Sequence, residues 1–193
     1  DKTKRYVITH NGEVYNYLEI REELITKGYS FTSNTDTEVI LYAFIEWGED
    51  CVNHFIGMWA FAIWDEKNKK LFISRDNFGE KPLYVCQTED GVYYASEPEP
   101  LIRMLDLGFN PSESELAAFL TLGFIPAPGT GFQNLQLLKP GSHVLISDGE
   151  IKHISRYWTP DVPSVPKGMP IAVSEVEIDA VADALIESVR VRL

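Results

Sequence analysis

The chain has 193 residues, 45% hydrophobic and 12% aromatic, which is enough to bury a sizeable core and too much for a disordered segment. A net charge of −12 leaves no basic stripe for nucleic acid or an anionic membrane, and no apolar stretch reaches membrane-spanning length. Cys51 and Cys86 stand in unrelated surroundings, which fits a reducing, cytoplasmic compartment better than a disulfide scaffold.

In chain order, the β-branched run Val7-Ile8-Thr9 predicts a strand that ends at Asn11-Gly12. The next strand-like run lies far downstream, so the dipeptide reads as a strand end that presents the Asn11 amide beside the Gly12 N–H. Two neutral donors of this kind suit a developing oxyanion; a plain connecting turn is the alternative. Asn16 and Glu19 predict a capping box, with Ile20, Leu24 and Ile25 as the apolar stripe and Gly28 as the stop. Thr35 and Glu38 predict a second box, followed by Val39, Ile40, Ala43, Phe44 and Trp47, and Asp36 falls in that helix's first turn.

From Met58 the period changes. Met58–Trp64 reads as a strand buried on both faces, Leu71–Arg75 as its partner, and Leu83–Cys86 with Val92–Ala95 as another hairpin. Arg75-Asp76 reads as a buried ion pair that shapes the following turn. Ser112 with Glu115 opens a further helix, and Asp148-Gly149 joins two more strands. The loop 126–131 has glycines but no lysine at phosphate-loop spacing. Four prolines in 159–170 predict a semi-rigid linker, and Ser174 with Glu177 opens a last helix. Helices followed by hairpin strands predict an α+β layered domain. His10, His54, His143 and His153 show no metal or triad spacing, so no metal is expected.

Several ordered blocks carry a resemblance: Asn11–Tyr17, Ser33–Leu41, Trp47–Cys51, Gly57–Asp65, Arg75–Tyr84, Ala95–Glu97, Gly123–Pro128 and Arg156–Trp158. In this order they are similar to the amino-terminal half of the glutamine-hydrolysing asparagine synthetases, class II glutamine amidotransferases. The resemblance implies an N-terminal-nucleophile hydrolase-type αββα sandwich of antiparallel sheets, incomplete at its N-terminus, that hydrolyses glutamine to glutamate and ammonia. It implies Asn11 and Gly12 as the oxyanion hole, and Glu13 and Asp36 as the holders of the substrate's α-amino group. The family's nucleophile is an N-terminal cysteine in an upstream block that is absent from this sequence, and neither Cys51 nor Cys86 can substitute for it.

The chain starts at Asp1 and ends inside a helical pattern, so it is expected to be part of a longer enzyme. The expected organisation is a glutaminase domain over 1–158, a Pro-rich linker over 159–172, and over 173–193 the first helix of a C-terminal synthetase domain. No cofactor is expected in the fragment, whereas ATP and Mg²⁺ belong to that C-terminal domain. The expected partners are glutamine, the synthetase domain of the same chain and, in a homodimer, a second copy. The acceptor is aspartate or a related carboxylate. The alternatives are an inactive pseudo-glutaminase scaffold, or an amidotransferase for a sugar acid or β-lactam precursor.

Overall fold

A computed structural model of the chain describes residues 1, 3–162 and 174–192. Contacts divide the chain into two units, Asp1–Thr159 and Pro160–Leu193. The second unit contains the helix α5 (Glu175–Arg190), closed at its start by a reciprocal Ser174–Glu177 capping box. Most of the proposed Pro-rich linker, from residue 163 on, lies outside the described residues.

The first unit is built from two antiparallel sheets. The larger has five strands: β1 (Tyr6–Val14), β2 (Gly57–Asp65), β3 (Lys70–Arg75), then β7 (Ser142–Ser147) and β8 (Glu150–Arg156), in the order β1-β2-β3-β7-β8. The smaller sheet has β4 (Tyr84–Thr88) between β5 (Gly91–Ala95) and the short β6 (Leu135–Leu137). The helices α1 (Tyr17–Thr26) and α2 (Asp36–Trp47) cover the outer face of the large sheet, where Ile20, Leu24, Val39 and Ile40 pack with Trp59, Phe61 and Phe72. Between the sheets lie Ala60, Ala62, Ile73, Leu83, Val144 and Ile146. Against the far face of the small sheet packs α3 (Pro98–Met104), through Leu101 on Cys86 and Leu135. The layers therefore run helix, sheet, sheet, helix. A further helix, α4 (Glu113–Leu122), starts at a complete Ser112–Glu115 box.

Local chemistry explains these elements. The continuous apolar run of β2 is buried from Trp59 to Ile63, as a strand covered on both faces must be. Its hairpin with β3 is tied by Asp65, which accepts from the Arg5 guanidinium (2.7 and 2.9 Å) and from the Lys67 and Asn68 amides. The helix α3 was not apparent in the sequence because three polar and Pro-rich residues precede its apolar turn, yet proline is well suited to a first helical position.

Arg75 and Asp76 differ from the expectation of a direct ion pair. Each is buried and satisfied by backbone instead. The Arg75 guanidinium donates to the carbonyls of Lys81 (2.7 Å), Gly79 (2.6 Å) and Leu138. The Asp76 carboxylate accepts from the amides of Phe78, Glu80 and Lys81 at 2.9–3.0 Å and from Trp59 at 3.3 Å. Burial pushes the Arg75 guanidinium below its ordinary range, while the charge of Asp76 opposes that shift. Replacing Arg75 by Met strands three carbonyls, and we expect Arg75→Met to lose about 3 kcal/mol of stability. A lowered urea midpoint at unchanged m-value would show this; an unchanged midpoint would refute the role.

Candidate functional site

The candidate residues gather along the free edge of β1. Sequence reading ended this strand at Asn11-Gly12; the structure continues it to Val14, with Asn11 opposite Ala60, Gly12 opposite Trp59 and Glu13 opposite Met58. Gly12 sits within the strand because of its own backbone. Its φ is +144°, and a Cβ there would stand 2.1 Å from the Met58 carbonyl oxygen. The dipeptide is neither a turn nor a strand end.

Alternation fixes what each group faces. Tyr15 donates its N–H to Ile56 of the neighbouring segment, whereas Tyr6 and Val14 donate away from β2, to the carboxylates of Asp1 and Asp36. Gly12 shares the parity of Tyr6 and Val14, so its N–H points out from the free edge. Thr9, Asn11 and Glu13 lie on the face turned toward the small sheet. There the Asn11 amide donates to the Ser96 hydroxyl (3.2 Å) and Thr9 meets the Tyr94 hydroxyl (3.2 Å). A cleft of about 200 Å³ opens at this point, lined by Thr9, Asn11, Ala60, Ala62, Tyr94 and Ser96. A larger cleft of about 550 Å³ lies among the loop tips near Asp90 and Asp148 and contains no candidate residue.

Asp36 reaches the edge from the first turn of α2. Its Oδ2 accepts from the Val14 N–H at 3.0 Å and its Oδ1 from the Thr37 hydroxyl at 3.3 Å. Asp36 thus sits one amide beyond Glu13, but among the described residues no hydrogen bond or ion pair joins the two carboxylates to a common group. His10, set aside in sequence reading, stands behind them, with Nδ1 3.2 Å from the Thr37 hydroxyl and 3.9 Å from Asp36. Burial lowers the His10 pKa, and the opposing charge of Asp36 does not reverse this. A neutral His10 leaves the negative charge of Asp36 uncancelled. The edge therefore offers neutral donors at Asn11 and Gly12 next to the carboxylates of Glu13 and Asp36.

Two predicted caps do different work. Asn16 makes no cap hydrogen bond; its side chain instead bridges His54 O and Ile56 N (2.9 and 2.8 Å), anchoring the exit of β1. Thr35 does cap α2, but Glu38 turns away from it and gathers the amides and hydroxyls of Thr32 and Ser33 at 2.6–3.1 Å. Those bonds hold the 32–35 loop that delivers Asp36. Burial alone would raise the Glu38 pKa, but the Ser33 and Thr32 donors outweigh it and bring it down to about 2.

The thiols of Cys51 and Cys86 are buried, and burial pushes both pKa values up, so neither has the character of a nucleophile. No described helix is long and apolar enough to cross a membrane.

A family model described as a glutamine amidotransferase domain matches residues 1–158. The chain is 37% identical over 158 residues to asparagine synthetase (glutamine-hydrolyzing) 3 of Bacillus subtilis, covering 81% of the chain and 26% of that protein. It is 35% identical over 189 residues to asparagine synthetase (glutamine-hydrolyzing) 1 of the same organism, covering 97% of the chain and 29% of that protein. The chain thus spans little more than a quarter of the length of these relatives. Among solved structures it is similar to glutamine phosphoribosylpyrophosphate amidotransferase from B. subtilis, with a TM-score of 0.55 and 21% identity, covering 80% of the chain and 30% of that structure. That likeness bears out the two-sheet α+β fold.

Two outcomes follow from the site's construction. Because Glu38 has a depressed pKa in the fold, its contribution to stability is present above pH about 4.5 and is lost as pH falls toward about 2. A Glu38→Gln variant should show a shallower fall in thermal midpoint across that window; an identical slope would discount the loop's dependence on the carboxylate. Gly12→Ala should destabilise the chain by about 3 kcal/mol, since strain and a backbone clash act together. An Ala variant with wild-type stability by denaturant titration would contradict the edge geometry.

Proposed function

The chain belongs to the glutamine amidotransferase domain family, and from that premise we propose that it is the glutaminase part of a longer amide-forming enzyme. The observation that carries the reading is the juxtaposition, along one free strand edge, of the Asn11 amide, the Gly12 N–H and the carboxylates of Glu13 and Asp36. In this reading glutamine binds with its ammonium toward Glu13 and Asp36 and its side-chain carbonyl toward Asn11 and Gly12. Neutral donors stabilise the oxygen as it gains charge, and the two carboxylates fix the far end of the substrate so that its carbonyl arrives in register. His10 and Thr37 position Asp36, Ser96 positions the Asn11 amide, and Gly12 allows close approach to the backbone.

The nucleophile is proposed to be a cysteine outside this sequence, because Cys51 and Cys86 are buried. The ammonia released would amidate an acceptor carboxylate activated elsewhere in the same protein. Aspartate is the proposed acceptor, on the strength of relatives named asparagine synthetases. ATP and Mg²⁺ are assigned to that other part, and no residue of this chain is assigned to either.

The test is ammonia release from glutamine by the complete gene product. Asn11→Ala should lower kcat by about 10²- to 10³-fold, as removal of one oxyanion donor does. Glu13→Gln, at an exposed residue with no structural partner among the described residues, should raise KM for glutamine by about tenfold with a smaller change in kcat. A complete protein that releases no ammonia, or an Asn11→Ala variant with full activity, would overturn the proposal in favour of a scaffold domain.

A further inference from the structure

On the opposite face of the large sheet from Asn11, three side chains from three elements meet at one point. Glu49, in the 3-10 segment Gly48–His54 after α2, directs its Oε2 at His143 Nε2 of β7 (3.1 Å) and at His153 Nε2 of β8 (3.4 Å). The three ligand atoms all lie within 4.8 Å of one another. Donor atoms around a tetrahedral ion bound at 2.0–2.1 Å stand about 3.4 Å apart, so two of the three separations already fit such an ion.

The meeting depends on an irregularity in the β7–β8 hairpin. Ile146 pairs with Ile151, but Leu145 pairs with His153, which leaves Lys152 as an extra residue. In an unbroken register His153 would lie opposite Val144, on the face turned toward the small sheet. The bulge moves it to the face that carries His143. Residues on either side hold His143 firmly: its ring lies nearly parallel to Tyr157 (5.9 Å, 10°) and against Phe72 (5.2 Å), and its side chain is 9% exposed. Glu49 and His153 are 40% and 44% exposed, so an ion and its waters have access. The Glu49 carboxylate within reach of both imidazoles favours a cation there.

The geometry points to a divalent transition-metal site made by Glu49, His143 and His153, which clamps the segment after α2 to the β7–β8 hairpin. Two imidazole nitrogens and one carboxylate oxygen select zinc and its neighbours rather than Mg²⁺ or Ca²⁺, which prefer oxygen donors. The inference does not rest on the glutaminase reading, because the cluster and Asn11 lie on opposite faces of the sheet.

The test uses the chain stripped by a chelator and titrated with Co(II) and then with Zn(II). One Co(II) per chain should bind with the visible absorption of a four- or five-coordinate site, and Zn(II) should displace it. Zinc at about a hundredfold excess over its Kd should raise the thermal midpoint by about 5–10 °C. His153→Ala and Glu49→Gln should each weaken binding by at least about tenfold, whereas Glu89→Gln, on the exposed turn between β4 and β5, should leave it unchanged. Octahedral or multiple Co(II) binding, no zinc-dependent shift, or binding that survives both cluster substitutions would overturn the assignment.

Discussion

The Arg75-Asp76 junction is the constraint on which the two-sheet arrangement depends. Arg75 ends β3 opposite Ala60, yet its guanidinium reaches the carbonyls of Lys81, just before β4, and Leu138, just after β6. Asp76 binds the Trp59 amide of β2 on one side and the amides of Glu80 and Lys81 on the other. The backbone at Asp76 is held as well, its N–H bonded to Trp59 O and its carbonyl to Gly141 N. One buried dipeptide therefore joins the middle of the large sheet to one end of the small one, where the start of β4 meets the end of β6. Because β5 pairs with β4, fixing the entry to β4 also fixes where Tyr94 and Ser96 come to rest against Thr9 and Asn11.

The free edge of β1 is open to a ligand for a related physical reason. An interior strand spends its amides on both neighbours, whereas an edge strand keeps every second N–H available. Here Asp1 takes the Tyr6 amide and Asp36 takes that of Val14, which shortens the open stretch and leaves the Gly12 N–H exposed between them. The strand is held flat against β2 by close approach at Gly12, where any side chain would strike the Met58 carbonyl. Conformational freedom at Gly12 and the location of the donor are thus two consequences of one packing requirement.

Much of this was legible in the sequence. The uninterrupted apolar run of β2, the Asp148-Gly149 turn and the Ser112 and Ser174 boxes state their roles through composition and spacing alone. The site was legible as residue types and only partly as geometry. Asn11-Gly12 was misplaced at a strand end because an Asn-Gly pair is a turn signal in local terms, and only the opposing strand shows that Gly12 is needed for close approach. Asn16 and Glu38 have capping-box spacing, but a distant donor at Ile56 takes the Asn16 side chain, and the preceding loop's donors at Thr32 and Ser33 take the Glu38 carboxylate. Small β6, paired to β4 over residues 135–137, has too short a pattern to be read alone.

The histidines show where sequence spacing fails most fully, and why. His143 and His153 are ten positions apart around a two-residue turn, and regular pairing puts them on opposite faces of the sheet. A single extra residue, Lys152, reverses that parity for everything beyond it in β8. Glu49 is recruited from nearly a hundred residues earlier, because α2 ends at Gly48 and the chain turns back over the sheet before β2. Trp47 stacked on His54 at 3.9 Å fixes the two ends of that return. The same sheet thus gathers two groups of polar side chains on two faces. The face toward the small sheet is shaped by strand alternation in β1, and the face toward the helices by one break in alternation in β8. A side chain's face is a property of register, and register is decided by the partner strand.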